Sequence, residues 1–402
     1  MKVNIEKGRA AGSIYAPTSK SDAHRLLICA ALAEGESVIS GVSSCDDVDA
    51  TVRCLTALGA SIEIDKDTYT VRGFDPKSAD IRTPLDCAES GSTIRFLIPL
   101  CSLSGKEVKL IGKGRLMDRP FDVYEGIFNE KGARFKKSDD ITLRGALTPG
   151  EYALKGNVSS QFISGLLFAL PLLEGDSVIR ITPPYESRSY VEMTLATLNK
   201  FGIRTICDGE FSIRIPGNQK YSAIRTRAEG DFSGAAFPAA LNLFGSDVKI
   251  LGLKDDSLQS DKAYERFYPM LASGYADIDI SDCPDLGPVL FAVAAGKHGA
   301  KIRGTARLRI KESDRVMAMT EELRKMGAVI SVYENEVLIA KTDLHAPNSP
   351  LNAHGDHRIV MALAILLCSY GGEIEGAEVI AKSYPAFFED LIKLGLGITF
   401  YD

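Results

Sequence analysis

The sequence lacks the features that mark membrane, secreted and nucleotide-binding proteins. No run approaches about 18 consecutive apolar residues, so we expect no membrane-spanning helix. The N-terminal residues 1–8 contain no apolar segment of signal-peptide length. Neither a phosphate-loop motif nor a dinucleotide-binding glycine motif is present, so nucleotide binding has no motif in its favour. These absences predict a soluble, cytoplasmic protein.

Metal-binding and nucleic-acid-binding patterns are also weak. The eight cysteines form no Cys-x-x-Cys pair, so free thiols in a reducing compartment are expected. Of five histidines, only His354 and His357 lie close together, and we expect no metal ion and no cofactor. The net charge of −6 argues against a general nucleic-acid surface.

What the sequence does contain is a repeat. Six apolar, small-residue segments begin with Ser, Thr or Asp and end at a glycine, and the first four glycines are 70 residues apart. The last two intervals are 54 and 72 residues. The glycines are Gly35, Gly105, Gly175, Gly245, Gly299 and Gly371. Such segments are apolar almost all round, so they predict helices buried between sheets.

A second helix recurs between the apolar ones. Each copy ends at a glycine that predicts a left-handed stop, and alternating residues after it predict a strand. These glycines are Gly59, Gly132, Gly202, Gly274, Gly327 and Gly395. Pro99, Pro171 and Pro238 lie inside apolar segments and are expected to interrupt those helices. Together the patterns predict an α/β fold of six strand–helix–strand–helix–strand–strand units.

The six units divide most simply into two domains of three. A break falls near residues 224–230, and the strand-like segment Val3–Ile5 fits the C-terminal half. We therefore expect one domain over residues 18–227 and a discontinuous one over residues 1–17 and 228–402.

Cations at the predicted helix starts are the most unusual polar feature. A helix N-terminus attracts anions, so a cation there indicates an anionic ligand held between the two. These cations are Lys20, Arg25, Arg95, Arg315 and Arg358. The alternative, which the sequence leaves open, is that Asp22, Glu312 and Asp356 neutralise Arg25, Arg315 and Arg358 respectively.

A dense run of charge, Lys311–Arg315, lies between a predicted strand and a predicted helix. With Asp285 and Lys20 it offers proton donors and acceptors close to anion-binding groups. That combination suits a reaction in which protons move while a phosphate is held.

At these residues the chain resembles the enolpyruvyl transferases, specifically the enolpyruvyl-shikimate-phosphate synthase family. The matching segments occur in order along the whole chain, and seven in sequence are far more specific than any one. They are Pro17–Arg25, Ser90–Arg95, Asp118–Pro120, Ser159–Gln161, Lys311–Arg315, Asp356–Arg358 and Lys382–Pro385. The resemblance implies a two-domain inside-out α/β barrel with three βαβαββ units in each domain.

The resemblance also implies transfer of the enolpyruvyl group of phosphoenolpyruvate to the 5-hydroxyl of shikimate 3-phosphate, with release of phosphate. By position, the residues implied to hold shikimate 3-phosphate are Lys20, Ser21, Arg25, Ser159, Ser160, Gln161, Ser187, Asp285 and Lys311. Those implied to hold phosphoenolpyruvate are Lys20, Gly91, Arg119, Gln161, Arg315, Arg358 and Lys382.

The implied catalytic residues are Asp285, Glu312, Lys20 and Lys311. Asp285 would accept the hydroxyl proton. Glu312, alone or with Lys20, would handle the proton at the methylene carbon, so that a tetrahedral intermediate forms and then loses phosphate.

Four positions bear on how far the resemblance extends. Glu89 and Arg307 stand where the family often has asparagine, and Phe96 stands where it often has proline. Gly91 matches the family glycine that leaves room for the inhibitor glyphosate, so sensitivity is expected, with Phe96 able to weaken it.

Two other functions remain open at this point. UDP-N-acetylglucosamine enolpyruvyl transferases share the fold and the co-substrate, but resemble the chain less, because they usually carry Lys-Asn where this chain has Lys20 and Ser21. A non-enzymatic ring or nucleic-acid clamp disagrees with the acidic charge and the buried helices. A monomer that binds small anions, with no nucleic-acid or membrane partner, is the expectation.

Overall fold

Helices and short strands alternate along residues 1–81 and 83–401, which are the residues that the computed structural model describes. The helices there are α1 Lys20–Leu32, α2 Asp46–Leu58, α3 Gly91–Ser102, α4 Asp122–Glu130, α5 Ser160–Ala169, α6 Arg188–Lys200, α7 Phe232–Ala240, α8 Tyr264–Ser273, α9 Gly287–Gly296, α10 Arg315–Arg324, α11 His357–Tyr370 and α12 Phe387–Lys393. None of the helices within these ranges is long and apolar enough to span a membrane.

The strands in the described residues are mostly two to six residues long. They are β1 Lys2–Ile5, β2 Ala11–Tyr15, β3 Ala33–Glu34, β4 Glu36–Ser40, β5 Ser61–Asp65, β6 Thr68–Arg72, β7 Leu85–Asp86, β8 Val108–Ile111, β9 Arg134–Lys137, β10 Asp140–Arg144, β11 Gly150–Lys155, β12 Ser177–Thr182, β13 Ile206–Cys207, β14 Ser212–Ile215, β15 Tyr221–Ser222, β16 Arg225–Arg227, β17 Asp247–Leu251, β18 Ala276–Asp279, β19 Ala300–Arg303, β20 Ile330–Val332, β21 Glu336–Ile339, β22 Leu351–Asn352, β23 Gly372–Glu375 and β24 Ile398–Tyr401.

The chain forms two compact units. Unit A is residues 20–229, and unit B is residues 1–19 together with the chain from residue 230 onward. These boundaries lie two residues beyond the expected ones. Strand β1 pairs with β23 and β24 in antiparallel register, so the N-terminal strand is part of unit B.

Each unit is built from four-stranded sheets of one topology. A parallel pair is followed by two strands added in antiparallel register. Three of these sheets come from consecutive strands, whereas β16 joins β4–β6 and β1 joins β22–β24 from distant parts of the chain. Unit A has the strand orders β16-β4-β6-β5, β7-β8-β10-β9 and β11-β12-β14-β13, and unit B has β18-β19-β21-β20 and β22-β23-β1-β24. The chain therefore has the mixed α/β class expected from the repeat.

The fourth repeat is shorter than the other five. Its sheet is the parallel pair β17-β2, and α8 leads directly into β18 of the next repeat. The interval of 54 residues before Gly299, against 70 or 72 elsewhere, corresponds to the absence of the antiparallel pair from the fourth repeat. The shortened interval was the sequence signal for this difference.

The apolar helices are buried as predicted. Helix α11 is buried from His357 through Cys368, and α9 is buried over nine of its ten residues. The expected interruption is wrong for Pro99 and Pro238, because α3 and α7 continue through them, whereas α5 ends just before Pro171, which lies in a 3₁₀ turn. One large apolar core lies in each unit and packs around these helices.

The predicted glycine stops are confirmed after five of the six amphipathic helices. Gly59, Gly132, Gly202, Gly327 and Gly395 all have positive φ. The prediction is wrong for Gly274, whose φ of 168° is extended backbone. The reason is that α8 continues into β18, the first strand of the next repeat, and no reversal into an antiparallel pair is needed.

Candidate active site

In unit A, the start of α1 holds two cations in different ways. Lys20 Nζ lies 2.7 Å from Asp47 Oδ2, at the start of α2. Arg25 donates to Thr194 Oγ1 at 2.8 Å and to the carbonyl oxygens of Ser21 at 2.5 Å and Tyr190 at 2.8 Å. The expected pairing of Arg25 with Asp22 is therefore not made by a hydrogen bond, because neutral oxygens occupy its guanidinium.

Burial dominates the electrostatics of Arg25. Desolvation lowers the pKa of its guanidinium to about 10, although Asp22 and Tyr190 act in the opposite direction. The guanidinium also lies 5.3 Å from the centroid of the Phe96 ring, a cation–π distance. A buried cation without a hydrogen-bonded carboxylate is a strong attractor for an incoming anion.

The starts of α3 and α5 meet at a second polar cluster in unit A. Arg95 Nη1 donates to Gln161 Oε1 at 2.7 Å, and Gln161 Nε2 donates to Ser92 Oγ at 3.0 Å. A Cβ atom at Gly91 would lie 2.7 Å from Arg119 Nη1 and 3.5 Å from Gln161 Oε1. Gly91 thus lets the backbone approach the guanidinium of Arg119, which is itself buried.

Besides Ser21, the second residue of α1, three more serines predicted to bind substrate lie at helix starts in unit A. Ser159 caps α5 by accepting from the backbone N–H of Gln161 at 3.3 Å, and Ser160 is the first residue of that helix. Ser187 precedes α6 with φ 53°, a left-handed conformation that is uncommon for serine. All three therefore lie beside backbone N–H groups that attract anions.

In unit B, Asp285 is bound by three cations. Its Oδ1 accepts from Lys311 Nζ at 3.2 Å and from Arg315 Nη1 at 2.9 Å, and its Oδ2 accepts from Arg358 Nη2 at 3.0 Å. The carboxylate lies in a 3₁₀ turn just before α9. Burial alone would raise the pKa of Asp285, but Arg358, Lys311 and Arg315 hold it well below its usual range.

Arg315, at the start of α10, is saturated with carboxylates. Its Nε donates to Asp356 Oδ2 at 2.8 Å, and its Nη2 donates to Glu312 Oε2 at 2.7 Å, in addition to the bond with Asp285. The side chain is 1% exposed. Burial lowers the pKa of Arg315, but Asp356, Glu312 and Asp285 outweigh burial and raise it.

The remaining two cations of unit B have mixed partners. Arg358 Nη1 donates to Ser233 Oγ at 2.6 Å, and Lys382 Nζ donates to the carbonyl oxygen of Gly355 at 2.8 Å. Asp356 caps α11 by accepting from the backbone N–H of Arg358, while its carboxylate pairs with Arg315. The expected pair of Asp356 with Arg358 is thus a backbone cap, and the side-chain ion pair of Arg358 is with Asp285.

The three positions that depart from the family pattern, Glu89, Arg307 and Phe96, lie beside residues of the two clusters or in the core. A Cβ at Gly114 would lie 2.6 Å from the Glu89 carboxylate, so Glu89 packs against the loop that leads to Arg119. Arg307 lies in the 3₁₀ turn Ala306–Ile310, before Lys311. Phe96 packs edge-on against Phe168, with ring centroids 5.3 Å apart.

The two histidines considered as metal ligands do not act together. His354 Nε2 lies 2.8 Å from Glu322 Oε1, and Glu321 is close enough to complete a three-residue group. Glu322 already accepts from Lys325 Nζ at 2.8 Å, which occupies the carboxylate. His357 instead lies with its Nδ1 3.9 Å from Asp356 Oδ1.

Sequence reasoning missed the acids and hydroxyls that hold the cations. Asp47, Thr194 and Ser233 were not singled out, although each contacts a predicted binding residue. For Asp47 a signal existed, because the run Asp46-Asp47 opens a predicted helix. For Thr194, 169 residues from Arg25, no local signal exists.

A protein with this repeated α/β fold, with buried cations and serines at the starts of its helices, is of the class that binds small anionic substrates. Comparison with known proteins gives the family. Residues 5–391 match the family model described as EPSP synthase (3-phosphoshikimate 1-carboxyvinyltransferase). The chain belongs to this family.

Curated relatives and solved structures agree with that assignment. The chain is 40% identical to the 3-phosphoshikimate 1-carboxyvinyltransferase of Clostridium kluyveri, over 98% of this chain and 97% of the relative. It is 41% identical to that of Clostridium acetobutylicum, over 96% and 95%. An EPSP synthase structure from Acinetobacter baumannii has a TM-score of 0.78 at 23% identity, over 99% of this chain and all of that one, which shows the shared fold.

Proposed function

We propose that this protein transfers the enolpyruvyl group of phosphoenolpyruvate to the 5-hydroxyl of shikimate 3-phosphate, releasing phosphate. Family membership over residues 5–391 supports the reaction. The main structural support is the Asp285 carboxylate, which accepts hydrogen bonds from Lys311, Arg315 and Arg358. Each of these cations can instead bind an anionic group of a substrate.

We propose that the cluster at the starts of α1, α5 and α6 serves shikimate 3-phosphate. Arg25 is the central group, because its charge has neutral hydrogen-bond partners and a phosphate can neutralise it. The proposed residues are Lys20, Ser21, Arg25, Ser159, Ser160, Gln161 and Ser187, with Asp285 and Lys311 for the reacting hydroxyl.

For phosphoenolpyruvate we propose residues that bind a phosphate and a carboxylate together. They are Lys20, Gly91, Arg119, Gln161, Arg315, Arg358 and Lys382. Arginine suits both groups because its planar fork binds a carboxylate or a phosphate in a bidentate way. Gly91 contributes by the absence of a side chain, which leaves the guanidinium of Arg119 accessible to the ligand.

The proposed reaction is an addition followed by an elimination. Asp285 accepts the proton of the 5-hydroxyl of shikimate 3-phosphate while the hydroxyl oxygen bonds to C2 of phosphoenolpyruvate. Glu312, with Lys20 as the alternative, gives a proton to C3, so a tetrahedral intermediate forms. That group then removes a proton from C3 as the C2–O bond to phosphate breaks, which yields the enolpyruvyl ether and inorganic phosphate. Each placed acid or base contributes about 10²–10⁴-fold.

Asp285 is a poor base while three cations bind it, because they hold its pKa well below the usual range. We propose that substrate anions activate it. When the phosphate and carboxylate of phosphoenolpyruvate engage Arg315 and Arg358, part of the positive potential at Asp285 is neutralised. Its affinity for a proton then rises at the stage when the hydroxyl proton must be accepted.

The decisive experiment measures phosphate release from phosphoenolpyruvate by the purified protein. We expect release of phosphate with shikimate 3-phosphate and none with UDP-N-acetylglucosamine. Release with UDP-N-acetylglucosamine alone would instead assign the activity of a UDP-N-acetylglucosamine enolpyruvyl transferase. No release with either acceptor would reject both activities. Asp285→Ala is expected to lose about 10²–10⁴-fold in kcat. Asp279→Ala is the matched control, because Asp279 is an exposed acid that pairs with Arg303 outside the cluster.

Three further properties belong to the same proposal. We propose that the protein acts as a monomer in the cytoplasm, and that glyphosate competes with phosphoenolpyruvate at Gly91. Size-exclusion chromatography with light scattering tests the first property. Inhibition kinetics against phosphoenolpyruvate test the last.

A further inference from the structure

A buried row of side-chain hydrogen bonds crosses unit A beside the cation cluster. His24 Nδ1 lies 2.8 Å from Thr51 Oγ1, Thr51 Oγ1 lies 2.6 Å from Thr93 Oγ1, and Thr93 Oγ1 lies 2.7 Å from Ser90 Oγ. His24, Thr51, Thr93 and Ser90 are all fully buried. A continuous polar row in an apolar core holds its members in fixed geometry, because each lost bond leaves a buried polar group unpaired.

The row has a preferred direction. Among the described residues, none gives His24 Nε2 a hydrogen-bond partner. A buried N–H without an acceptor is rarer and less favourable than a buried nitrogen lone pair without a donor. His24 therefore carries its proton on Nδ1 and donates to Thr51, which donates to Thr93, which donates to Ser90. The ring stays neutral, because burial and then the charges of Lys20 and Arg25 hold its pKa well below the usual range.

The row joins the first two turns of α1, α2 and α3, of which α1 and α3 carry proposed binding residues and α2 carries the partner of Lys20. His24 lies on α1 between Lys20 and Arg25, and Thr51 lies on α2, whose first turn carries Asp47. Thr93 and Ser90 form the N-terminal cap of α3, where Thr93 N–H donates to Ser90 Oγ at 3.2 Å. Gly91 is the next residue after that cap.

We propose that His24, as the neutral Nδ1–H tautomer, and the hydroxyls of Thr51 and Thr93 are positioning residues that fix the start of α3. By fixing the Ser90–Gly91 segment they set the approach of Gly91 to Arg119, and so the geometry for phosphoenolpyruvate. The role of these residues in substrate positioning rests on the proposed function, whereas the order of the hydrogen bonds is independent of it.

The tautomer is tested directly in the unmodified protein. Long-range ¹⁵N–¹H correlation spectra report which ring nitrogen carries the proton, and the His24→Asn variant assigns the signal. We expect an Nδ1–H ring that does not titrate between about pH 5 and pH 8, where an ordinary histidine would. A proton on Nε2, or a ring that titrates in this range, would overturn the proposal.

Kinetics separate positioning from a merely structural role. Thr93→Val keeps the side-chain shape and removes the hydroxyl, and we expect the KM for phosphoenolpyruvate to rise about tenfold, as for a small misplacement of binding groups. The KM for shikimate 3-phosphate should change less, and Thr93→Ser should restore the parent values.

The matched control is Thr197→Val, which removes a buried hydroxyl that donates to the carbonyl oxygen of Met193 at 2.9 Å on α6. Both valine variants should lower the denaturation midpoint, but Thr197→Val should leave both KM values unchanged. Equal kinetic effects of the two variants, or no effect of Thr93→Val, would reject the positioning role. If the parent protein shows no turnover, the proposed function fails, while the ring spectra still decide the order of the hydrogen bonds.

Discussion

Arg25 in unit A and Arg315 in unit B are both buried at the start of a helix, yet their surroundings are opposite. The hydrogen bonds of Arg25 go to a hydroxyl and two carbonyl oxygens, whereas those of Arg315 go to three carboxylates. Burial accordingly lowers the pKa of Arg25 to about 10, while acids raise that of Arg315.

The contrast shows that this protein holds its proposed binding cations in two kinds of environment, with neutral or with acidic hydrogen-bond partners. Asp22 acts on Arg25 only through its charge, so an anion that binds Arg25 adds the hydrogen-bonded negative group that its neutral partners do not provide. An anion that binds Arg315 or Arg358 must share them with acids already present. The second arrangement stabilises the empty protein, and it also makes the basicity of Asp285 depend on substrate.

The largest expected effect comes from removing each arginine. Arg315→Met leaves the buried acids Asp285 and Asp356 short of a cation, and we expect a loss of about 3–5 kcal/mol in stability. Arg25→Met removes a desolvated charge and three hydrogen bonds to neutral oxygens but leaves no acid without its hydrogen-bonded cation, so we expect a smaller loss of about 1–2 kcal/mol. Urea unfolding, read by hydrogen exchange in peptides of each unit, measures both. Similar losses would remove the distinction between the clusters.

The second largest effect is expected from acid, which should lower the stability of unit B more than that of unit A. The folded-state pKa values of Asp285 and Asp356 are depressed, so their contribution is present above the unfolded value of about 3.9 and is lost as pH falls through the folded values. In unit A, burial raises the pKa of Asp22, so its protonation favours the folded state as pH falls.

We therefore expect unit B to unfold first as pH falls below the unfolded value of about 3.9. The measurement is hydrogen exchange in peptides of each unit, with samples held at each pH and labelled at one common pH. Asp22→Asn should weaken the relative advantage of unit A. If unit A opens first in acid, the pKa directions do not govern acid stability.

Gly91→Ala tests the unit A cluster without changing any charge. The added methyl would lie 2.7 Å from Arg119 Nη1, and because that atom ends a flexible side chain, the guanidinium should move and folding should survive. We expect the KM for phosphoenolpyruvate and the inhibition constant for glyphosate to rise about tenfold, since binding groups are displaced. Gly126→Ala on α4, where a methyl would meet nothing within 4 Å, should leave both constants unchanged and slightly stabilise the helix. Unchanged constants in Gly91→Ala would place phosphoenolpyruvate elsewhere.

The sequence was enough to predict the apolar helices and the cations at their starts, because helix starts and stops are local signals. It did not single out Asp47, Thr194 or Ser233, which hold those cations. The apolar segment ending at Gly35, with Lys20 and Arg25 at its beginning, predicts α1 and its cations without tertiary information. Even the shorter fourth repeat is visible in the sequence, as the short interval before Gly299.

The pairing within each cluster was not predictable in the same way. Asp356 reaches Arg315 across 41 residues, and Thr194 reaches Arg25 across 169. Nearby acids such as Asp22 were reasonable partners by distance along the chain, but the packing of α1 against α6 brings neutral oxygens to Arg25 instead. Which cation is neutralised is therefore a tertiary property.

The smallest effect, and the most direct probe of the contrast, is stabilisation by inorganic phosphate. At about ten times its Kd, a ligand that binds only the folded state contributes about 1.4 kcal/mol, which raises Tm by a few degrees. If Arg25 is the cation that lacks an acid, phosphate should stabilise the parent protein and the Arg315→Met variant alike, but not Arg25→Met. Thermal unfolding at constant ionic strength, with chloride in place of phosphate as the control, measures the shift. Loss of the shift in Arg315→Met, with retention in Arg25→Met, would reverse the assignment, because the anion would then prefer a cation that already has three carboxylates.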